Sequence, residues 1–272
     1  MNKEFYFISL FNNKSIGDDA AVVGKYLYSH DIFCEGIHFR TEWMPLEVIA
    51  KKAMLVNISD AVAMNAKPLY ALVGIEMPKR FEMPQMRAIA KGLQEVCAEF
   101  GCEIIGGDTV AGDRLCFSIT IVSISNRPIE RGPIKEGMLI AYTGRLGASK
   151  NELTKALRYG KVGKKSRFSE PILRQRFMQR AARHITAAMD ISDGLFDDLA
   201  KLSRHNRIGF RLFSPIPKRV GCSGEEYELL IAFWPSEREA LMRIAEATRT
   251  PLTIFARAMR GRFRNVCHAH HF

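Results

Sequence analysis

The residues with the clearest chemical potential are aspartates that lie in short segments of small residues. Four such segments are Gly17-Asp18-Asp19-Ala20-Ala21, Ser59-Asp60-Ala61, Gly106-Gly107-Asp108-Thr109 and Asp190-Ile191-Ser192-Asp193-Gly194. Any one of them could be a turn or a helix cap, because aspartate favours both. Solvated acids more often sit among Lys, Glu and Gln, so the recurrence of these segments predicts carboxylates that converge on a cation.

Carboxylates accompanied by hydroxyl groups are typical ligands of hard cations such as Mg²⁺. A glycine beside such a carboxylate lets backbone N–H groups approach a phosphate closely. The combination predicts a nucleotide whose phosphates are held through metal ions. The chain has no G-x-x-x-x-G-K-[ST] segment, no G-x-G-x-x-G segment after a strand and no His-Arg-Asp or Asp-Phe-Gly set, so P-loop, Rossmann and protein-kinase sites are not supported.

Alternating strands and amphipathic helices position these aspartates. In the first half we predict a hairpin over 22–34, a helix over 45–63 that carries Asp60 near its end, a strand over 70–77, a helix over 83–100, a short strand over 103–105 and a strand over 115–125. In the second half we predict strands over 138–143, 208–213, 227–234 and 252–256, helices over 151–158, 170–184, 236–247 and from residue 194, and a segment over 187–190 that enters a turn.

The predicted fold class is therefore α+β, with two domains that each cover one face of a sheet with helices. Pro128, Gly132, Pro133 and Gly137 make residues 126–137 the best boundary. The expected domains are residues 1–132 and 133–272.

Composition limits the class of protein. The 272 residues are 47% hydrophobic and 25% charged, which is typical of a globular chain. No apolar run is long enough for a membrane span, and Glu4 lies where a secretory signal needs apolar residues. The six cysteines form no C-x-x-C pair, so free thiols in a reducing cytoplasm are expected.

The formal net charge of +11 admits three interpretations, one of which is simply a proteome of basic proteins. A basic surface attracts nucleic acid, but the basic residues are scattered and form no stripe interleaved with aromatic residues. A small substrate that carries phosphate explains the charge as well, so we expect no nucleic-acid partner and keep nucleic-acid binding only as the weaker alternative.

Six segments, taken in order between residues 16 and 230, resemble the thiamine-monophosphate kinase family within the aminoimidazole ribonucleotide synthetase-like superfamily. They are residues 17–22, Glu35-Gly36-Ile37-His38-Phe39, Asn57-Ile58-Ser59-Asp60 with Ala63-Met64, residues 106–109, residues 190–195 and Ser223-Gly224-Glu225-Glu226-Tyr227-Glu228-Leu229-Leu230. The resemblance implies ATP-dependent phosphorylation of thiamine monophosphate to thiamine diphosphate. It also implies a homodimer formed by the N-terminal sheet, and ATP with several Mg²⁺ ions in the cleft between the domains.

The resemblance assigns roles to particular residues. The implied metal ligands are Asp19, Ser29, His30, Asp31, Asp60, Asp108, Asp190 and Asp193. The implied nucleotide contacts are Gly107, Asp108, Arg131 and Ser192, and the implied substrate contacts are His38 and Glu225. Asp60, Asp108, Arg131 and Asp190 are the expected catalytic residues. His30 replaces a hydroxyl residue, so any metal contact there would come from its backbone carbonyl or be lost.

Other differences from the family affect how firmly the substrate can be predicted from the sequence. Asn65 replaces a glycine, Glu226 replaces an aspartate, and residues 144–152 lose a small-residue continuation. The aromatic residue expected against the thiamine ring has only Phe263 and Phe272 as candidates.

Other ATP-using enzymes of the superfamily remain the nearest alternative. Selenophosphate synthetase needs a reactive cysteine near its N-terminus, and the hydrogenase-maturation enzyme needs one at its C-terminal end. The first cysteine here is Cys34 and the last is Cys267, so both alternatives are disfavoured.

Overall fold

The computed structural model describes residues 3–11, 13–163 and 165–267. Its two five-stranded sheets have the orders β1-β2-β5-β3-β4 and β7-β9-β6-β10-β8. The first half contains α1 Lys3–Ser9, β1 Ala21–Val23, β2 Tyr26–Cys34, α2 Leu46–Ala63, β3 Lys67–Pro78, α3 Met83–Phe100, β4 Glu103–Gly112 and β5 Cys116–Ile124. The second half contains β6 Leu139–Thr143, α4 Ala148–Tyr159, α5 Gln175–Ala181, β7 Ala187–Asp190, α6 Leu195–Asn206, β8 Gly209–Leu212, α7 Lys218–Gly221, β9 Leu229–Phe233, α8 Arg238–Ala247 and β10 Leu252–Met259.

Helix α2 is the central element, because it packs on α3, on the first sheet and on β7 of the second sheet. A helix that is surrounded on all sides must be apolar on all sides, and residues 53–59 are buried without interruption. This placement carries Asp60, in the last turn of α2, to the junction of the two sheets.

Most predicted elements are confirmed to within a few residues, and α3 has the predicted bounds. Its start carries a capping box between Glu82 and Gln85, and Gly101 ends it in the left-handed conformation at φ 67°. The α+β class is also confirmed. The boundary at residue 132 stays a prediction; the segment 125–138, which joins the sheets, contains no helix or strand.

Two predicted elements are wrong in extent. The short strand 103–105 continues to Gly112, so Gly107 and Asp108 lie within a strand rather than in a turn. Gly107 permits this course because its φ is 145° and a Cβ there would lie 1.9 Å from the Val73 carbonyl oxygen. The predicted helix 170–184 begins only at Gln175, because Pro171 disfavours helix before it and Arg174 has a non-helical ψ of 39°.

The expectation of six free thiols is also wrong. Cys34 is bonded to Cys116, which lies directly opposite it in the β2–β5 register, and Cys222 is bonded to Cys267. Cys97 and Cys102 are free and buried. Pairs separated by 82 and 45 residues leave no spacing signal. The cytoplasmic location, which rested partly on free thiols, stays a prediction.

Within the described ranges, no helix combines the length and the apolar character that crossing a membrane requires.

Candidate active site

Five of the six sequence motifs meet in one cavity of about 640 Å³ between the two sheets, and the segment 106–109 is the exception. One part of its wall is acidic and basic, and the other part is apolar. The charged and polar part comprises Asp18, Asp19, His30, Asp31, His38, Asp60, Arg131, Ser149, Lys150, Asp190, Ser192, Asp193, Lys201 and Glu225; the apolar part includes Ile8, Ile32, Phe33, Ile37, Val56, Leu153 and Tyr227. Such a division suits a ligand with an anionic end and an organic ring system.

Three aspartates from three separate motifs converge at the acidic end. Asp19 precedes β1, Asp60 lies in the last turn of α2 and Asp190 ends β7, yet one carboxylate oxygen of each lies within 4.8 Å of the others. The Ser59 hydroxyl donates a hydrogen bond to Asp190 Oδ2 at 2.6 Å. Asp31, on β2, lines the same cavity.

The electrostatics of this group call for a cation. Burial, followed by repulsion from neighbouring aspartates, raises the pKa of Asp60 and of Asp190 well above the ordinary value. Burial and the nearby Asp19 and Asp193 raise the pKa of Asp31 to about 6. Asp19 Oδ2 is buried without a hydrogen-bond partner. A hard divalent ion would coordinate that oxygen and relieve the repulsion, so the residues fit Mg²⁺.

The raised pKa values predict how metal-free stability depends on pH. An acid with a higher pKa in the folded state binds more protons when folded, so stability falls as pH rises from its unfolded value towards its folded value. For Asp31 that window runs from 3.8 to about 6. We expect the thermal midpoint in EDTA to be higher at pH 5 than at pH 7.5, and Mg²⁺ to remove most of the difference. A midpoint in EDTA that rises steadily from pH 5 to 7.5 would contradict this electrostatic picture.

Arg131 is the basic group nearest to this acidic cluster. Its Nε donates to Asp19 Oδ1 at 2.9 Å and its Nη2 donates to the same oxygen, while its backbone N–H donates to Asp18 Oδ2 at 2.9 Å. Burial opposes its charge, but Asp19, Asp18 and Asp190 together outweigh burial, so the pKa of Arg131 lies above the ordinary value. Asp18 thus fixes the Arg131 backbone, and Arg131 holds one oxygen of Asp19.

His38 and Glu225 line the same cavity. His38 Nδ1 accepts the Cys34 backbone N–H at 3.0 Å, and its ring stacks on Phe33 with centroids 5.2 Å apart. This bond places the proton of a neutral ring on Nε2. Glu225 adopts φ 57°, and its backbone N–H donates to the Ser192 carbonyl at 2.6 Å.

Lys52 supports the wall of the cavity through Glu225, and sequence reasoning missed it. Its side chain is 0% exposed, and its Nζ lies 2.9 Å from Glu225 Oε2 and 3.4 Å from the centroid of the Phe168 ring. A buried lysine needs a carboxylate partner, so this pair ties α2 to the loop that carries Glu225. Next to Lys51 in the sequence, Lys52 resembles a surface residue, and only its burial distinguishes it.

The remaining predicted site residues form two sets, those that line the cavity and those that do not. His30 and Ser192 line the cavity, and the His30 ring contacts the Thr120 hydroxyl at 2.8 Å and the Ser118 hydroxyl at 3.3 Å. Asp193 also lines it but groups with Asp197 and Asp198.

Gly107, Asp108 and Ser29 do not line this cavity within the described residues. Asp108 lies on β4, the exposed edge of the first sheet, where its Oδ1 accepts the Thr109 N–H. Ser29 is buried, with its hydroxyl 3.5 Å from the Asn57 carbonyl.

Phe263, the aromatic candidate within the described residues, does not line the cavity. Phe263 packs in the core of the second sheet, with its ring centroid 6.1 Å from Phe196 and 6.3 Å from Phe210. Phe272 lies outside the described residues.

Comparison with known proteins first defines the class. Residues 17–125 match the family described as AIR synthase related protein, N-terminal domain. The hydrogenase maturation protein HypE of E. coli shares the fold over 98% of this chain and 95% of its own, with TM-score 0.72 and 14% identity. The two-sheet architecture is therefore the AIR synthase-like fold.

Within that class the relatives are more specific. Thiamine-monophosphate kinase of Nitrosopumilus maritimus is 28% identical over 229 residues, which are 77% of this chain and 74% of the relative. The structure of AaThiL complexed with AMPPCP and TMP superposes with TM-score 0.83 at 23% identity, over 96% of this chain and 90% of that one. The chain is thus a relative of the thiamine-monophosphate kinases, which confirms the resemblance seen in its motifs.

Proposed function

We propose that this chain transfers the γ-phosphoryl group of ATP to the phosphate of thiamine monophosphate, giving thiamine diphosphate and ADP, with Mg²⁺ as the metal. The observation that carries the proposal is the convergence of Asp19, Asp60 and Asp190, from three motifs, within 4.8 Å in one cavity. The named relatives, and a neighbour of the same fold complexed with AMPPCP and TMP, support the choice of substrates. The same proposal places the enzyme in the cytoplasm.

The chemistry needs charge neutralisation more than it needs a base. A phosphate monoester has a second pKa of about 6, so at neutral pH it is mostly the dianion and can act as the nucleophile itself. The barrier is the repulsion between two anions held in line. Asp19, Asp60 and Asp190, with Asp31 beside them, would hold Mg²⁺, which would supply positive charge to the phosphate oxygens.

The chain's own residues do the positioning. Arg131, fixed through Asp18 and Asp19, presents a planar guanidinium that matches phosphate oxygens. Ser192 contacts the nucleotide. His38 and Glu225 bind thiamine monophosphate, and Lys52 holds the Glu225 carboxylate in place. The apolar wall near Ile37 and Leu153 suits an organic ring system.

The direct-transfer mechanism is tested by a labelling experiment. Incubation with γ-labelled ATP alone should leave the protein unlabelled, because the acceptor is the second substrate and not a side chain. Initial rates should show that both substrates must bind before either product leaves. Ping-pong kinetics, or a phosphorylated protein that passes its label to thiamine monophosphate, would contradict direct transfer.

The proposal includes a homodimer built on the first sheet. One face of this sheet packs on α2, and the other exposes apolar side chains, among them Tyr28, Ile32, Tyr70 and Leu72. Such a patch is unusual for a monomer. Strand β4 adds an unpaired edge, and Asp108 lies on it.

Light scattering at micromolar concentration should therefore give twice the mass of one chain. Leu72→Arg, which places a charge on the exposed face, should shift the mass towards one chain, whereas Leu157→Arg on the exposed side of α4 should not. A wild-type protein with the mass of a single chain would contradict the dimer.

A further inference from the structure

A second acidic group borders the cavity, and it already contains a cation. Asp193 precedes α6, and Asp197 and Asp198 lie in the first turn of that helix; carboxylate oxygens of the three lie within 4.8 Å of one another. The ammonium group of Lys201, one turn further along α6, contacts all three: Asp193 Oδ2 closely, Asp198 Oδ1 at 2.8 Å and Asp197 Oδ2 at 3.7 Å.

The geometry of helix α6 brings the Lys201 side chain next to Asp197 and Asp198. Lys201 follows Asp197 by four residues and Asp198 by three, the spacings at which helical side chains meet. Asp198 is fully buried, and its other oxygen, Oδ2, accepts the Gly194 N–H at 3.1 Å. Burial opposes the charge of Lys201, but Asp198 and Asp193 outweigh burial, so its pKa lies above the ordinary value. The cation is therefore permanent at neutral pH.

The two acidic groups of the cavity thus differ in how they are neutralised. In the first, Asp19 Oδ2 is buried without a partner, as a site that awaits an ion would be. In the second, Asp193 and Asp198 already have the lysine ammonium between them. Asp193 and Lys201 both line the cavity, so the lysine charge is next to the space where the nucleotide phosphates are proposed to bind.

We propose that Lys201 is a resident cation that takes the place of a divalent ion at Asp193, so that in this protein Asp193 does not ligate metal. The inference rests on the proposed function for the identity of the anion that the lysine faces. An ammonium group excludes a divalent ion from the same carboxylates by repulsion and by its volume, and it contributes one positive charge where the ion would contribute two. This corrects, for Asp193, the ligand set implied by the family resemblance.

The test counts bound metal and needs no turnover. Mn²⁺ alone is titrated into the full chain, and the free ion is followed by electron paramagnetic resonance. Asp193→Asn should leave the wild-type number of bound ions unchanged. Lys201→Gln should bind one ion more per chain, and Lys201→Gln combined with Asp193→Asn should return to the wild-type number. Lys201→Arg, which keeps the charge, and Lys155→Gln, on the exposed side of α4, should both match the wild type.

Two results would overturn the proposal. One is the loss of an ion in Asp193→Asn, which would make Asp193 a metal ligand in the wild type. The other is an unchanged number of ions in folded Lys201→Gln. If Lys201→Gln does not fold, Asp193→Asn decides alone, since Lys201 keeps Asp198 as a partner there. A wild type that binds no Mn²⁺ would contradict the proposed metal site at Asp19, Asp60 and Asp190. In that case, an ion gained by Lys201→Gln would still support the proposal that Lys201 excludes a divalent ion from Asp193.

Discussion

Asp60→Asn is expected to remove most of the activity while leaving the metal-free protein as stable as the wild type, or more stable. Asp60 is half-buried and lies among Asp19, Asp31 and Asp190, and after desolvation the repulsion by these aspartates is what raises its pKa. Removing one negative charge relieves that repulsion when no metal is bound. Under the proposed function Asp60 holds Mg²⁺, so its loss should weaken charge neutralisation in the transition state; losing a single group of that kind typically costs about a hundredfold or more in rate.

The measurement pairs turnover with melting curves. The thermal midpoint of Asp60→Asn in EDTA should equal or exceed that of the wild type, whereas the stabilisation by Mg²⁺ with ATP should shrink. Asp113→Asn, an exposed aspartate outside the cavity, is the matched control and should change neither quantity. Wild-type turnover in Asp60→Asn would remove Asp60 from the metal cluster.

Arg131→Met should have the opposite effect on metal-free stability and a similar effect on activity. Without the guanidinium, the buried Asp19 carboxylate loses its compensating charge, and Asp18 keeps only backbone donors. Breaking a fully buried ion pair typically costs about 3–5 kcal/mol. Because Arg131 keeps some exposure, we expect a somewhat smaller cost here, about 2–4 kcal/mol. Activity should fall because the guanidinium contributes positive charge to the phosphate oxygens.

Arg131→Lys separates charge from geometry, since it retains the positive charge without the planar fork. It should recover part of the stability lost in Arg131→Met and little of the activity. Arg127→Met, an exposed arginine on the same connecting segment, is the control for loss of a basic residue. If Arg131→Met melts in EDTA like the wild type, the Arg131–Asp19 pair does not hold this end of the cavity together.

The contrast between these two variants is informative because they act on one cluster. Both remove a charge within a few ångströms of Asp19, but one removes a repelled carboxylate and the other removes the attracting cation. A general loss of packing would lower the metal-free midpoint in both. Opposite signs would identify electrostatics as the cause.

Sequence alone predicts the parts of this protein that depend on local patterns. Helix α3 has the predicted bounds because its apolar period and its glycine cap are both local signals. Asp19, Asp60 and Asp190 are predictable because each lies in a short segment of unusual composition. The family resemblance also points to Arg131 and Glu225, which line the cavity with them.

What the sequence could not predict depends on contacts between distant segments. Lys52 becomes distinctive only when α2 is enclosed on all sides, and Cys34 is joined to Cys116 only because β2 and β5 pair in one register. Asp108 is expected in a turn because two glycines precede it, yet Gly107 serves a close approach to β3 within a strand. Lys201 resembles a solvent-facing helix residue, although it lies among three carboxylates.

The most direct measurement of the central claim is the release of ADP from ATP in the presence of different acceptors. With Mg²⁺ present, ADP should form in step with thiamine diphosphate when thiamine monophosphate is added. It should not form above background with thiamine, with an aminoimidazole precursor or with no acceptor. ADP release that is independent of thiamine monophosphate, or that is faster with another of these acceptors, would contradict the proposed function.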